Sequence, residues 1–161
     1  MIVLVMGVTG SGKTTVGKLL AQRLGWLFLD ADDFHPVENI EKMKHGVPLT
    51  DKDREPWLAA IHAELVKCTA KNKDAVLACS ALKQSYRERL GSGVELRICY
   101  LQGTYREIAA RLQSRTGHFA GEEILAGQFA DLEEPSDALV LRVSETPEEI
   151  VGDALRKLKL G

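Results

Sequence analysis

Gly7-Val8-Thr9-Gly10-Ser11-Gly12-Lys13-Thr14 carries the spacing G-x-x-x-x-G-K-T. In that pattern the glycines let the backbone curl until successive N–H groups point inward at phosphate oxygens. Lys13 is placed to reach the β- and γ-phosphates of a nucleotide, and the Thr14 hydroxyl to ligate Mg²⁺. The expected cradle comprises Gly7, Val8, Thr9, Gly10, Ser11, Gly12, Lys13, Thr14 and Thr15. An apolar run precedes it and a helical pattern follows, which is the context the motif requires; a Gly-rich turn that binds nothing is the alternative. The spacing of Gly7, Gly10 and Gly12 is not G-x-G-x-x-G, which disfavours a dinucleotide fold.

A second concentration of chemistry follows in Asp30-Ala31-Asp32-Asp33-Phe34-His35-Pro36. Carboxylates this close repel one another unless a cation or ligand offsets the charge. One reading places them beside Mg²⁺ and a transferring phosphoryl group, with an aspartate accepting the proton of a substrate hydroxyl. The other is a solvated acidic turn that caps the next helix.

Further along, Ser80 and Lys83 stand where a helix N-terminus would face a cleft. A cation there opposes the helix dipole, so Lys83 and Arg87 are better explained by an anionic ligand than by helix stability, with surface solvation as the alternative. Arg111 and Arg115 are four residues apart and would share a helix face, where like charges repel by a few tenths of a kcal/mol. A polyphosphate would remove that penalty, and arginine suits the clamping of a phosphoryl group. Two solvated arginines, with Glu107 as an i,i+4 partner, are the competing reading. The Thr116-Gly117 break suggests a mobile lid. Neither later strand supplies a Walker-B aspartate. Thr14 is therefore the one protein ligand to Mg²⁺ that the motif secures, leaving phosphates, waters or the Asp32 region for the rest.

These groups need a scaffold. Short apolar runs at Ile2–Met6, Trp26–Leu29, Ala75–Cys79, Leu96–Leu101 and Ala138–Val143 read as strands buried on both faces. Helical patterns occupy Lys13–Leu24, Val37–Lys44, Asp51–Ala70, Lys83–Leu90, Tyr105–Gln113, Glu122–Asp131 and Pro147–Leu158, the last with Thr146 as N-cap and Pro147 at its first position. Strands alternating with helices predict an α/β domain: a central five-stranded parallel sheet with helices on both faces. Ligands in such sheets bind beyond the carboxyl ends of the strands, where the polar clusters fall.

The chain of 161 residues, 45% hydrophobic and 27% charged, suits one domain with a full core. A net charge of −2 without a basic run argues against a nucleic-acid partner. No apolar stretch reaches the length of a membrane span, and the first six residues lack the features of a signal peptide. Cys68, Cys79 and Cys99 form no C-x-x-C pair; an odd count of such thiols fits a reducing cytoplasm.

Taken with G-V-T-G-S-G-K-T-T at 7–15, the blocks D-x-x-H-P at 32–36, N-I-E-K-M at 39–43, G-V-P-L-T-D-K-D-R-E-P-W-L at 46–58, C-S-A-L-K-x-x-Y-R at 79–87, R-x-x-x-R-T-G-H-F at 111–119 and Q-F-x-x-L-E-E-P at 128–135 span nearly the whole chain in order. In this the chain resembles the gluconokinases, small P-loop kinases related to shikimate kinase and the nucleoside monophosphate kinases. The resemblance implies a three-layer P-loop kinase fold, a single domain over 1–161 with a small lid at about 112–130. It also implies ATP-dependent phosphorylation of D-gluconate at its 6-hydroxyl, Mg²⁺ and, commonly, a homodimer. Carried onto this sequence, Lys13, Asp32, Arg111 and Arg115 are the expected catalytic residues, Asp32 as base and the arginines in the lid. Asp32, His35, Arg54, Ser80, Lys83, His118 and Gln128 are expected in the substrate pocket, with Arg54 or Lys83 opposing the substrate carboxylate. A kinase for another hydroxy acid such as shikimate, or a nucleotide-dependent switch without small-molecule turnover, are the alternatives. The sequence departs from the family at Ala31, where glycine is usual, and at Gly127, where serine tends to precede the glutamine. The first predicts a small adjustment of strand two. The second weakens the lid helix by up to about 1 kcal/mol.

Overall fold

The computed structural model describes residues 1–116 and 121–160. Five strands, β1 (Ile2–Met6), β2 (Leu27–Asp30), β3 (Ala75–Ala78), β4 (Leu96–Gln102) and β5 (Leu139–Arg142), form one sheet in the order β2-β3-β1-β4-β5. Every pairing is parallel, with Ile2 opposite both Ala75 and Leu96. Between them run α1 (Lys13–Leu24), α2 (Val37–Lys44), α3 (Asp51–Ala70), α4 (Gln84–Gly91), α5 (Tyr105–Thr116), α6 (Glu122–Asp131) and α7 (Pro147–Leu158).

Alternation along the central strand separates two cores. Ile2, Leu4 and Met6 of β1 face Trp57, Leu58, Ile61 and Leu65 of α3 and Tyr86 and Leu90 of α4. Val3 and Val5 face Val16 and Leu20 of α1 and Ile150, Val151 and Ala154 of α7. The result is the expected three layers. Gly17 lets α1 lie close to the sheet, because a Cβ there would sit 2.8 Å from Phe28 Cε1.

β1 and β3 are buried throughout and β4 over Cys99–Leu101, but the edges are not: Leu27 of β2 is 45% exposed and Val140 of β5 38% exposed. The expectation of doubly buried strands fails there because an edge strand has only one neighbour. β2 also runs one residue later than its apolar pattern, through Asp30, since Asp30 pairs with Ala78. Directly after it a 3₁₀ turn, Ala31–Phe34, takes residues that the sequence reading left in a polar loop. α4 begins at Gln84 instead of Lys83, which stands at the N-cap. α5 continues to Thr116, three residues past its expected end.

The helices that bear polar clusters are firmly started. Thr50 and Asp53 form a reciprocal capping box on α3, with Thr50 Oγ1 accepting from Asp53 N at 3.1 Å and Asp53 Oδ2 accepting from Thr50 N at 2.9 Å. Lys42 Nζ of α2 donates to the other oxygen of Asp53 at 2.8 Å. These bonds hold the Asp53 carboxyl down at about 2, Lys42 being the largest cause. α7 carries the same box from Thr146 and Glu149, with Pro147 at its start as expected.

Candidate active site

The phosphate loop leaves β1 at the middle of the sheet and enters α1. Gly10 and Gly12 have φ of 77° and 95°, a left-handed backbone that glycine adopts without steric cost. The space beside Gly10 is already taken, since a Cβ there would lie 2.7 Å from Leu112 Cγ of α5. Lys13 Nζ donates to the Val8 carbonyl at 3.1 Å, folding the ammonium back over its own loop. Burial draws the Lys13 pKa down, while the carboxylates of Asp32 and Asp30 push it back up. Cys79 is fully enclosed and its thiol is pushed up to about 12, so it stays neutral. Among the described residues, the buried Ser11 Oγ, Arg87 Nε and Arg111 Nε lack a protein hydrogen-bond partner. Buried polar atoms are normally satisfied; Ser11 and Arg111 lie along the nucleotide side, Arg87 beneath the turn before α4.

Arg111 projects from α5 to this side. Its Nη1 donates to Val143 O at 3.0 Å, and a Cβ on Gly12 would lie 3.4 Å from its Nη2. Arg111, Glu107, Val143 and Ser144 line a cavity of about 280 Å³ beside the loop. Glu107 caps the start of α5 through Thr104, its Oε1 accepting from Thr104 N at 2.9 Å, so Arg111 is tied to a backbone carbonyl instead of the i,i+4 carboxylate that its spacing suggested. The backbone of Arg115 lies in the last turn of α5. His118 falls outside the described residues.

Asp30 ends β2, two strands from β1, yet its Oδ2 is 3.4 Å from Thr14 Oγ1. Its Oδ1 accepts from Asp32 N at 3.0 Å and so caps the 3₁₀ turn. The sequence offered two readings for this acidic cluster, a metal-side site and a helix-capping turn, and Asp30 makes the contacts of both. Two hard oxygens side by side, one a carboxylate, match what Mg²⁺ takes from protein when phosphates and waters complete its shell. The 3₁₀ turn presents Asp32 and Asp33 to solvent on the same rim. Ala31 is 1% exposed and keeps a negative φ. Its methyl group therefore fits without the strain that replacing a left-handed glycine would bring.

A tryptophan fixes this turn. Trp57, 4% exposed, donates Nε1–H to Ala31 O at 2.7 Å. His35 stacks on it, ring centroids 4.6 Å apart and 6° from parallel. Asn39 Nδ2 donates to Asp53 O at 2.9 Å and lies 3.3 Å from His35 Nδ1, which assigns the imidazole proton to Nε2. Burial lowers the His35 pKa and Arg54 adds to the effect, against Asp32.

Across the rim, Tyr86 collects the basic residues. Arg54 Nη1 donates to Tyr86 Oη at 3.1 Å, and the Arg54 and Lys83 head groups each stand 5.7 Å from the Tyr86 ring centre. Lys83 Nζ pairs with Asp51 at 2.9 Å, and Tyr86 Oη donates to the same carboxylate. Tyr86 and Lys83 hold the Asp51 pKa down. Ser80 precedes Ala81, which has φ of 45°, an uncommon conformation for a residue with a Cβ.

Arg87 contradicts its sequence reading. It is 3% exposed and donates to Ala81 O at 2.6 Å, Leu82 O at 3.1 Å, Gln84 Oε1 at 3.0 Å and Glu133 O at 2.7 Å. Protein carbonyls take the place of the anionic ligand inferred for it. Gln128 also lies apart from the acceptor side, its Oε1 accepting from Thr9 N at 2.6 Å. The contacts thus join Thr14 to Asp30 and Asp30 to Asp32, set Asp32 and Arg54 near His35, and collect Arg54 and Lys83 around Tyr86, with Ser80 just past the end of β3. Trp57, Tyr86, Asp51 and Asn39 were missed as candidates; the one available signal was their place in the long blocks at 39–58 and 79–87.

Known proteins resemble this chain along nearly its whole length. The shikimate kinase family model matches residues 9–159. The chain is 47% identical to a gluconokinase of Gluconobacter oxydans, over 94% of this chain and 88% of that protein. It is 44% identical to a probable gluconokinase of Mus musculus, over 98% and 97% respectively. A solved gluconokinase from Sinorhizobium meliloti 1021 superposes with a TM-score of 0.88 at 42% identity, covering 98% of this chain and 90% of that one.

Proposed function

The chain belongs to the gluconokinase family, and we propose that it transfers the γ-phosphoryl group of ATP to the 6-hydroxyl of D-gluconate, giving 6-phospho-D-gluconate and ADP. The observation that carries this reading is the pairing of a phosphate loop with a second polar rim. Carboxylates stand beside Thr14 on one side, and Arg54, Lys83 and Tyr86 gather on the other. A nucleotide switch has no need of that second rim. The fold is a P-loop kinase α/β fold, and the enzyme is a phosphotransferase.

In this reading the loop N–H groups and Lys13 bind the β- and γ-phosphates, and the cavity at Arg111 receives the rest of the nucleotide. Thr14 and Asp30 would hold Mg²⁺, which supplies charge neutralisation across the phosphates. Asp32 accepts the proton of the 6-hydroxyl as that oxygen bonds to phosphorus and the bond to the departing ADP oxygen breaks. Arg54 and Lys83 oppose the gluconate carboxylate; Asp51 occupies Lys83 until the substrate exchanges for it. Neutral His35 offers Nε2–H as a donor to the sugar-acid hydroxyls. Ser80 and His118 complete the pocket, Gln128 braces the phosphate loop through Thr9 N, and Arg111 and Arg115 offset charge on the transferring group. The protein acts as a single domain over 1–161 with a lid at about 112–130, assembled as a homodimer in the cytoplasm. No helix among the described residues is long and apolar enough to cross a membrane.

The test is an ADP-release assay with purified protein, ATP and Mg²⁺ against a panel of sugar acids and shikimate. Gluconate should turn over fastest. Turnover of shikimate or another acid without gluconate would overturn the substrate, and no turnover with any acid would favour the switch. Asp32→Asn should lower kcat at least ~100-fold while nucleotide binding persists; an unchanged rate removes Asp32 as the base.

A further inference from the structure

The segment from Gln128 to Glu134 runs across the carboxyl end of the sheet and is bonded at both ends to parts of the site. At one end Gln128 Oε1 accepts from Thr9 N, inside the phosphate loop, at 2.6 Å. At the other, Glu133 makes one bond to the turn between β3 and α4 and two to the first turn of α4. Its N–H donates to Leu82 O at 2.8 Å, its Oε1 accepts from Gln84 N at 2.7 Å, and its carbonyl accepts from Arg87 Nη2 at 2.7 Å. Arg87 donates in turn to Ala81 and Leu82, fixing the strained turn that carries Ser80 and Lys83. Between the ends, Leu132 N bonds Gln128 O at 2.9 Å, and the Leu132 side chain packs against both cores, one on each side of the sheet. Glu134 Oε1 accepts from Tyr100 Oη of β4 at 3.1 Å.

We infer that this segment is a strap that couples the phosphate loop to the acceptor turn, with Gln128 and Glu133 as positioning residues. Neither touches the reacting atoms in this role; Gln128 acts through the Thr9 peptide and Glu133 through Leu82 and Gln84. Nucleotide binding fixes the Thr9 peptide. Gln128 follows it, and the rigid last turn of α6 carries the constraint to Ser80 and Lys83. Because coupling between two sites is reciprocal, an acceptor bound at Lys83 steadies the loop by the same factor. The arrangement has a clear alternative: if Gln128 and Glu133 only pin α6 in place, each would affect stability and nothing at the opposite site.

The inference rests on the loop taking a nucleotide and on the 80–83 turn facing the acceptor, so its test uses a nucleotide alone. Hydrogen exchange followed by mass spectrometry is measured with and without a non-hydrolysable ATP analogue and Mg²⁺, in the wild-type protein, Gln128→Ala and Glu133→Ala. In the wild type the analogue should slow exchange both in the loop peptide and in the peptide spanning 81–87. In either variant, protection should remain in the loop and fall about five- to tenfold over 81–87, the size of one lost hydrogen bond. Equal protection over 81–87 in all three proteins overturns the strap, as does its absence from the wild type. A wild type whose loop is not protected at all overturns the nucleotide reading as well. Thermal melts accompany each variant; should Glu133→Ala fail to fold, Gln128→Ala, at a half-exposed position, decides. Failure of gluconate turnover in the separate substrate assay would leave the outcome of this experiment standing.

Discussion

Trp57→Phe isolates the link between the core and the acidic rim. The indole is 4% exposed and gives its N–H to Ala31 O at 2.7 Å. Phenylalanine retains a ring for His35 to stack on but leaves that carbonyl without its buried donor. An unpaired buried acceptor costs about 1–3 kcal/mol, and the lost part of the ring adds about 1 kcal/mol at roughly 0.8 kcal/mol per buried methylene. The sum, about 2–4 kcal/mol, is a large part of a typical stability of about 5–15 kcal/mol. For a chain of this size each kcal/mol moves the thermal midpoint by roughly 2–4 °C, so a fall of about 4–16 °C is expected, with a matching fall in urea midpoint at unchanged m-value. Since the freed turn carries Asp32, kcat should fall as well, while the KM for ATP holds because the loop is untouched. A midpoint within 1 °C of wild type, or an ATP KM that rises while kcat stays constant, would refute the reasoning.

Asp30→Asn keeps an oxygen to accept from Asp32 N but removes the charge beside Thr14. The Mg²⁺ concentration for half-maximal rate should rise on the order of tenfold, the lower end of what lost support for a metal costs, and an unchanged Mg²⁺ curve would exclude Asp30 from the metal. Gly127→Ala fills open space, since nothing lies within 4 Å of the added Cβ; it should stabilise by up to about 1 kcal/mol in a urea titration, and destabilisation would mean that position 127 is not helical in solution. His35 has a folded pKa below its unfolded value of about 6.5. The unfolded chain therefore takes the proton first, and the stability from neutral His35 is present above about pH 6.5 and lost as pH falls through the lowered folded value. The melting difference between wild type and His35→Gln should shrink as pH drops from 7.5 to 5.5, and a constant difference would contradict that sign.

Period and punctuation were enough to find the scaffold. Apolar runs of strand length between amphipathic segments placed five strands and seven helices, because burial on both faces leaves little freedom in residue type for β1 and β3. The 3₁₀ turn at Ala31–Phe34 escaped detection since four residues are too few to display a helical period, and its cap, Asp30, had looked like an ordinary acidic turn. The order β2-β3-β1-β4-β5 depends on which strands pair across long separations, which no local pattern records. It is this order, together with the first turn of α1, that brings Asp30 within reach of Thr14. Trp57 shows the same limit at the level of one side chain: its partner is a backbone carbonyl 26 residues away.

Lys83 and Arg87 show why residue type alone cannot separate a ligand group from a strut. Both are cations at the start of α4, and the dipole argument applied to them equally. Arg87 is sealed beneath the turn, where carbonyls of Ala81, Leu82 and Glu133 point at a rigid fork of donors. Removing it would strand several buried acceptors, a cost that ties it to the fold. Lys83 pairs instead with Asp51, a carboxylate that is 67% exposed. An exposed ion pair of this kind contributes little to stability, so exchanging Asp51 for another carboxylate costs the fold little. Arg54 and Tyr86 already stand around the same point. On the proposed reading, the exposed Asp51 carboxylate holds these groups in position, and a substrate carboxylate would replace it without ordering three long side chains at the moment of binding.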